Sequence, residues 1–268
     1  MVRVGLVGCG TIGTQLARAL QRDYLHVAKI VALHDVDRLH AAALQRRLRS
    51  TPPIVSLPSL IKKSDLVIET ASADVAGEVV RRSLRANRSV LVMSVGGLLR
   101  DRAWQRLAQR SRGRVYIPSG ALAGLDGVNA LAVGTIRSVS LTSRKPPRAL
   151  RFAPYVRRKR LQLNRLRRPT VIFEGSSAEA VKAFPQNTNV AAALTLASGA
   201  SPSRVRIRVV ADPSLRVNVH EVDVRGDCGR IHCTIQSRPS ANPSTSELAV
   251  RSAIATLGRL FDRVVIGT

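Results

Sequence analysis

A glycine-rich turn near the start of the chain has the spacing that binds a dinucleotide. Gly8, Gly10 and Gly13 form GCGTIG between the apolar run RVGLVG and a helical apolar spacing. In such a loop the first glycine permits a tight turn, the second lets the backbone approach a pyrophosphate, and the third lets the helix pack closely. Thr11 and Ile12 begin the helix, whose N-terminal amides can donate to phosphate. We expect these five residues to bind the cofactor.

A carboxylate at the end of the next apolar run completes this pattern. Asp35 follows AKIVALH and lies 22 residues after Gly13, where it can accept hydrogen bonds from the ribose hydroxyls of the adenosine. It favours NAD because it repels a ribose phosphate, whereas the nearby Arg38 leaves NADP open. The sequence therefore predicts NAD or NADP as the cofactor. Cys9, inside the loop, is interpreted as a small packing residue rather than a nucleophile.

The stretch RVNVHEVDV, residues 216–224, places a histidine in a predicted strand. Alternate side chains of a strand face opposite sides, and here each side carries both polar and apolar residues, with the change at His220 and Glu221. That break indicates a bulge or a strand that enters a site. On this pattern alone, His220 can be a core residue, a metal ligand or a catalyst. A catalytic His220 would act as a general base, or would relay the proton through water, with a near-neutral pKa.

Two further segments carry groups that can hold a substrate with carboxylates. Arg144 and Lys145 stand just before two prolines and form a candidate cationic clamp, with Lys145 also a candidate catalytic residue. Asn187 and Asn189, in FPQNTNVAAALTLA, stand at a predicted helix N-terminus, where an amide or a carboxylate can be held. The alternatives are solvated surface charge and an ordinary helix cap.

A metal site is the weaker interpretation of the remaining candidate ligands. The three cysteines form no CxxC pair, and the alternation in GRIHCTIQ puts His232 and Cys233 on opposite faces. Ligands that face opposite ways do not converge, and the spacing matches no usual zinc pattern. The sequence therefore predicts no metal, and the odd number of cysteines predicts reduced thiols.

The elements around these residues predict an α/β protein with two domains. In the first third of the chain, apolar strands alternate with amphipathic helices, which is typical of a Rossmann doubly wound parallel sheet. From about residue 136 strands are grouped together, which indicates an α+β domain with a largely antiparallel sheet. We assign 1–122 and 245–268 to the dinucleotide-binding domain, because the last helix suits packing back onto it. Residues 123–244 are the predicted catalytic, substrate and oligomerisation domain.

Composition limits the classes of partner. The chain has 268 residues, of which 45% are hydrophobic, and no apolar run that could span a bilayer, so we expect a cytoplasmic protein without a membrane partner. Its formal charge of +26 comes from 43 basic and 17 acidic residues. This charge makes nonspecific polyanion binding possible, but with 3% aromatic residues we expect no specific nucleic-acid partner. We interpret the densest basic run, residues 156–169, as a solvated surface.

In their order along the chain, these motifs resemble those of nicotinamide-dependent L-aspartate dehydrogenases. The resemblance covers nearly the whole chain and is carried by GCGTIG, PSGALAGLDG, TSRKPP, FEGSSAEAVKAFPQNTNVAAALTLA, VNVHEVDV and NPSTSELAVRSAIATL. It implies oxidation of L-aspartate to iminoaspartate, which feeds NAD biosynthesis or hydrolyses to oxaloacetate and ammonia. It also implies that His220 is the catalytic histidine and that Ala123 and Asn189 contact the cofactor. The basic segment 156–169 departs from the surface expected of this family.

Two alternative functions stay open at this point. One is a Rossmann-type NAD-binding sensor or polyanion-binding protein without turnover, which the charge favours. The other is a dehydrogenase of the same fold that acts on another amino acid. The sheet of the second domain also leads us to expect a homodimer or homotetramer.

Overall fold

The protein divides into two compact units. The computed structural model describes residues 1–185, 188–240, 246–264 and 266. Of the described residues, unit 1 comprises Met1–Pro118 and 253–264, and unit 2 comprises Ser119–Ser252 and Ile266. The domain boundaries drawn from the sequence, after residues 122 and 244, differ from these junctions, and the domain assignment stays a prediction.

Unit 1 is built on a parallel sheet whose strand order reverses beside the first strand. Its strands are β1 (Val2–Val7), β2 (Ala28–His34), β3 (Leu66–Glu69), β4 (Ser89–Val92) and β5 (Val115–Tyr116). They lie in the order β2-β1-β3-β4-β5, and each pair is parallel. Because β2 lies on one side of β1 and β3 on the other, the loops after β1 and β3 diverge. Ligands of doubly wound sheets bind at this reversal, outside the carboxyl ends of the strands.

Amphipathic helices connect these strands. They are α1 (Thr11–Asp23), α2 (Arg38–Gln45), α3 (Leu57–Lys63), α4 (Ala73–Arg85) and α5 (Ala103–Arg110). Helix α1 buries Leu16, Ala17 and Leu20 on one side, as the helical spacing of its apolar residues requires. These side chains join Val4 and Leu6 of β1 in the core of unit 1. Packing against a buried strand therefore fixes the helix whose N-terminus follows the glycine loop.

Unit 2 is built on a mixed sheet. Its strands are β6 (Ile136–Lys145), β7 (Thr170–Ser176), β8 (Val205–Ala211), β9 (Asn218–Gly226) and β10 (Arg230–Ser237). In the order β10-β9-β6-β8-β7, β6 pairs in parallel with β8, and the other three pairs are antiparallel. A parallel first sheet and a largely antiparallel second one confirm the predicted fold class.

The helices of unit 2 are short, and the C-terminal helix is shared between the units. They are α6 (Leu125–Leu131), α7 (Pro147–Leu150), α8 (Pro154–Arg158), α9 (Ser177–Ala183), α10 (Asn189–Ala197) and, last, α11 (Glu247–Phe261). Ala253 and Leu257 of α11 are fully buried in the core of unit 1. Within the described part of the chain, no helix has the length and apolar character needed to cross a membrane.

One face of the second sheet is buried, and its character changes along the strands. Its apolar part comprises Val139, Leu141, Ile207, Val222 and Val224. Further along the same face, where β6 ends and β9 begins, the side chains are still buried but polar. We call this region the polar end, and it comprises Ser143, Lys145, Asn218, His220 and Ser237.

Strand β9 runs through the polar end with a regular register. It pairs with β10 continuously from Asn218 to Arg225, and its pairing with β6 shifts only at the far end, between Ile136 and Ser138. The bulge considered from the sequence is therefore wrong. The mixed polar and apolar pattern arises instead because His220 lies on the same buried face as Val222. That face carries polar groups where the strand begins.

Candidate active site

The glycine loop of unit 1 brings the ends of β1 and β3 together with the start of α1. Gly8 has a φ of +91°, which a residue with a side chain rarely adopts, and its N–H donates to the His34 carbonyl at 2.8 Å. A Cβ at Gly13 would lie 2.1 Å from the Gly8 carbonyl oxygen. Glycine is therefore required at both positions for this close approach.

Gly10 is different, because open space lies beside it. A Cβ at Gly10 would meet no described atom within 4 Å, although the residue immediately precedes the 13-residue helix α1. Thr11 is exposed, while Ile12 is half-buried and packs against the core of unit 1. The start of α1 therefore has open space beside it at Gly10, where a phosphate group would fit. The binding of a dinucleotide by these residues stays a prediction.

Asp35 is held against the glycine loop by backbone donors. Its carboxylate accepts hydrogen bonds from the Cys9 N–H at 2.7 Å and the Asp37 N–H at 2.9 Å. A carboxylate has about four acceptor positions, so two bonds leave capacity for ribose hydroxyls. Burial and then the Asp35 charge raise the pKa of the Cys9 thiol to about 12. A thiol so hard to ionise fits the packing role expected of Cys9, since the thiolate is the nucleophilic form.

A second carboxylate in unit 1 was missed from the sequence. Glu69, the last residue of β3, is fully buried, and its carboxylate accepts from the Ala71 N–H at 2.8 Å and the Ser94 N–H at 3.0 Å. Burial raises the pKa of Glu69, against the effect of these hydrogen bonds. The carboxylate thereby ties together the segments that follow β3 and β4. The available signal was a glutamate at the end of the apolar run LVIE.

His220 lies at the polar end of the core face in unit 2, next to a hydroxyl. Its side chain is 2% exposed, and its Nδ1 lies 3.1 Å from the Ser143 Oγ, the residue opposite it on β6. Burial, and then the charge of Lys145, lower the pKa of His220 to about 3. The near-neutral pKa expected from the sequence is therefore wrong. A ring buried beside a cation is neutral at ordinary pH.

Lys145 occupies the same face, two residues along β6 from Ser143. Its side chain is buried, and burial lowers its pKa to about 8. Its carbonyl accepts from the Asp212 N–H at 2.9 Å, so the end of β6 is fixed to the turn after β8. The structure thus places Lys145 and His220, the two candidate catalytic residues, on one buried face.

Arg144, by contrast, lies on the opposite face of the sheet. Its Nε donates to the Glu221 carboxylate at 3.0 Å, and both side chains are partly exposed. Successive residues of a strand face opposite sides, so Arg144 cannot share the clamp with Lys145 while β6 keeps this register. The structure does not bring Arg144 to the face that carries Lys145 and His220, so it gives no support to the expectation that Arg144 belongs to the substrate site.

The two positions implied by the resemblance to contact the cofactor lie on neighbouring segments of unit 2. Ala123 is exposed in the loop before α6, and Asn189 is the half-buried first residue of α10. Helices α6 and α10 contact each other, and a Cβ at Gly120 would lie 3.9 Å from Val190 Cγ1. Asn187, the other asparagine considered for substrate binding, lies outside the described residues.

The ligand candidates weighed for a metal have other partners. His232 Nδ1 lies 3.2 Å from Asp223 Oδ2, and Cys233 is half-buried against Gly124, where an added Cβ would lie 2.8 Å from its Sγ. Among the described residues, no group of three or more His, Cys, Asp and Glu side chains could hold a metal ion.

The polar end has two further members, Asn218 and Ser237, and the sequence placed only Asn218 on the site face of the strand with His220. Asn218 and Ser237 are 1% and 6% exposed and lie opposite each other on β9 and β10. Neither the Asn218 Oδ1 nor the Ser237 Oγ has a hydrogen-bond partner among the described residues. Only the asparagine had a signal in the sequence, because it lies two residues before His220 and so on the same face.

Comparison with known proteins gives matches in both halves of the chain. The family model "Aspartate dehydrogenase, C-terminal" matches residues 126–260, and "Homoserine dehydrogenase, NAD binding domain" matches residues 8–118. The chain is 42% identical to an L-aspartate dehydrogenase of Methanosarcina barkeri, with 100% of each chain covered. It is 38% identical to one from Bradyrhizobium diazoefficiens, covering 100% of this chain and 94% of the relative. The crystal structure of an aspartate dehydrogenase from Thermotoga maritima matches over 100% of both chains, with 26% identity and a TM-score of 0.72.

Proposed function

The chain belongs to the L-aspartate dehydrogenase family, and from this premise we propose that it oxidises L-aspartate to iminoaspartate with NAD or NADP. The observation that carries the proposal is the polar end of unit 2, where His220, Ser143 and Lys145 are buried on one face. Buried titratable groups with strongly shifted pKa values are more typical of functional sites than of ordinary cores.

The residues of unit 1 fit a nicotinamide dinucleotide. The open space beside Gly10 suits the pyrophosphate, and the remaining acceptor capacity of Asp35 suits the adenosine ribose. Ala123 and Asn189 are the proposed cofactor contacts in unit 2. When bound, the dinucleotide supplies the acceptor for the hydride that leaves the substrate Cα.

His220 is proposed to take the proton from the substrate nitrogen. A neutral imidazole carries one N–H and one acceptor nitrogen. If its Nδ1–H donates to the Ser143 hydroxyl, the lone pair is on Nε2, so Ser143 sets the tautomer that makes His220 a base. The 3.1 Å separation of Nδ1 and Oγ supports this role. The arrangement is the base and orienting group expected for general acid–base catalysis.

Lys145 is proposed to hold a substrate carboxylate. Its charge also restrains protonation of His220 in the free protein, since it is the second cause of the low histidine pKa. An opposite charge raises the pKa of a nearby base. Aspartate brings two carboxylates, so we expect its binding to raise the pKa of both His220 and Lys145. The substrate thus makes the histidine a better proton acceptor at the moment it is needed.

The test is an absorbance assay at the reduced-nicotinamide band with a panel of amino acids. We expect L-aspartate to give turnover with NAD or NADP, and D-aspartate, L-glutamate and L-asparagine to give much less. Turnover with another amino acid and none with L-aspartate would refute the substrate assignment and keep the chemistry. Dinucleotide binding without turnover of any amino acid would favour the sensor alternative.

Four further expectations are part of the proposal. They are supply of NAD biosynthesis, a cytoplasmic location, a homodimer or homotetramer, and no specific nucleic-acid partner. Support for polyanion binding is limited to charge: no acidic residue occurs between Asp126 and Glu174, and the basic residues of the 156–169 segment are exposed. A salt titration of DNA binding separates a nonspecific attraction, which weakens steeply with salt, from a dedicated site.

A further inference from the structure

Two buried polar side chains of unit 2 lie opposite each other on neighbouring strands, and one atom of each has no hydrogen-bond partner among the described residues. Asn218 and Ser237 are directly opposite in the register of β9 and β10, and their Oδ1 and Oγ atoms are the members of unit 2 among the buried side-chain atoms without a described hydrogen-bond partner. Such atoms are rare in folded proteins, because each lost hydrogen bond to water destabilises the fold. A pair at one point of a sheet indicates a place where a ligand supplies the missing bonds.

The position of this pair relates it to the proposed catalytic groups. Asn218 is two residues from His220 on the same face of β9, which is about 7 Å along a strand. Continuing the register of Arg144 with Val219 by one residue places Lys145 beside Asn218. Across the sheet from β10 to β6, one row of buried side chains therefore consists of Ser237, Asn218 and Lys145. The next row contains His220 and Ser143.

The chemistry of the two atoms determines what they can bind. An amide oxygen accepts hydrogen bonds and cannot donate, whereas a hydroxyl oxygen can do both. A carboxylate also only accepts, so it cannot satisfy the Asn218 Oδ1. A nitrogen with several N–H bonds can satisfy both atoms at once.

We propose that Asn218 and Ser237 form the subsite for the α-amino group of the substrate. The inference rests on the aspartate-oxidising function proposed above. The substrate ammonium carries three N–H bonds, of which one points to His220, one to the Asn218 Oδ1 and one to the Ser237 Oγ. The first proton passes to His220 as the hydride leaves Cα to the dinucleotide. The iminium product keeps the other two N–H bonds, which still donate to Asn218 and Ser237. The substrate loses one proton and one hydride, so the nitrogen keeps its single positive charge and the atoms balance. Lys145 takes a carboxylate of the same molecule, which separates the two cations.

The test uses variants that change the acceptor with little change in volume. Asn218→Leu removes the unpartnered oxygen, Asn218→Asp keeps an acceptor, and Ser237→Ala removes the hydroxyl. Gln236→Ala, on the exposed face of β10, is the matched control. Binding of L-aspartate and of succinate, which has the carboxylates but no amino group, is measured by calorimetry on the dinucleotide complex, and stability is measured by urea unfolding.

We expect Asn218→Leu to weaken aspartate binding roughly 10- to 100-fold, the range for a hydrogen bond to a charged group. Ser237→Ala should weaken it less, and Asn218→Asp should keep aspartate binding near the native value. Succinate binding should be unchanged in Asn218→Leu and Ser237→Ala, which add no charge beside Lys145. Asn218→Leu should also unfold at an equal or higher urea concentration, because a buried polar atom without a partner has been removed. A merely structural asparagine would give the opposite stability change.

The outcomes separate this inference from the proposed function. Unchanged aspartate binding in Asn218→Leu, or equal losses for aspartate and succinate, overturns the amino-group subsite. Native protein that binds aspartate without oxidising it contradicts the proposed function, and the binding series still decides the subsite. Native protein that binds no aspartate overturns both.

Discussion

The carboxyl ends of β2 and β3 in unit 1 and the polar end in unit 2 both hold polar side chains that are buried or partly buried, but the hydrogen bonds of these side chains are satisfied differently. In unit 1, the Glu69 carboxylate accepts from two backbone N–H groups and Asp35 accepts from two others. In unit 2, Asn218 and Ser237 each carry a buried atom with no described partner. The pKa values of His220 and Lys145 are lowered because burial opposes their charged forms.

This difference matches the two kinds of ligand. A dinucleotide offers the same phosphate and ribose groups to every protein that binds it. A loop whose backbone is already fixed by hydrogen bonds before the dinucleotide binds therefore suits it. A small substrate must be chosen by its own polar groups, and a site whose buried groups need that ligand rejects molecules that cannot pair with them. The comparison therefore predicts that changes in unit 1 alter folding and cofactor affinity together, whereas changes at the polar end alter substrate chemistry.

The largest effect is expected at His220. His220→Ala should lower kcat on the order of a hundredfold to ten-thousandfold, the range for loss of a general acid–base group, and leave dinucleotide affinity unchanged. Steady-state kinetics with L-aspartate and fluorescence titration of the reduced dinucleotide check the two parts. A near-native kcat would show that His220 is not the catalytic base. The proposed division between cofactor binding in unit 1 and substrate chemistry at the polar end would then also fail.

Substitutions of Gly10 and Gly13 test whether the glycine loop is already in its binding conformation before the dinucleotide binds. Gly13→Ala should destabilise the fold by roughly 1–3 kcal/mol, as overpacking does, because the new methyl group would lie 2.1 Å from the Gly8 carbonyl oxygen. Gly10→Ala should leave the urea midpoint unchanged, since no described atom lies within 4 Å of the new group, yet weaken dinucleotide binding about tenfold or more by filling the phosphate space. Native affinity in Gly10→Ala would show that the pyrophosphate lies elsewhere.

The sequence predicted these two regions unequally. The glycine loop could be predicted because its backbone geometry demands glycine at fixed spacing, and Asp35 followed from it. His220 was reached by resemblance, since the strand pattern alone allowed a core residue, a ligand or a catalyst. Glu69 and Ser237 could not be predicted, because their roles depend on which segments lie beside them in three dimensions. The predicted near-neutral pKa of His220 was wrong for the same reason, because burial and then the charge of Lys145, which belongs to another strand, lower it.

The pH dependence of stability tests the burial of His220. Its pKa is about 6.5 unfolded and about 3 folded, so between these values the unfolded chain binds more protons and stability falls as the pH is lowered. Inside this window we expect a contribution of about 1.4 kcal/mol per pH unit. His220→Gln should therefore lose less stability than the native protein between pH 6 and pH 4.5 in urea unfolding. Replacing the exposed His26 by Gln is the control, and equal acid sensitivity of the native protein and His220→Gln would contradict the buried neutral ring.

The smallest effect is expected at Arg144, the residue next to Lys145 on β6. Its ion pair with Glu221 is partly exposed, and such pairs contribute about 0–1 kcal/mol. Arg144→Gln should therefore change the free energy of unfolding by less than about 1 kcal/mol and leave kcat and KM for aspartate within about twofold, whereas Lys145→Gln should raise KM strongly. Both substitutions remove one positive charge from β6, at adjacent residues. They differ in the face of the sheet on which the charge lies. A tenfold rise of KM in Arg144→Gln would mean that the substrate site extends to the outer face of β6, and the polar end would then be only part of it.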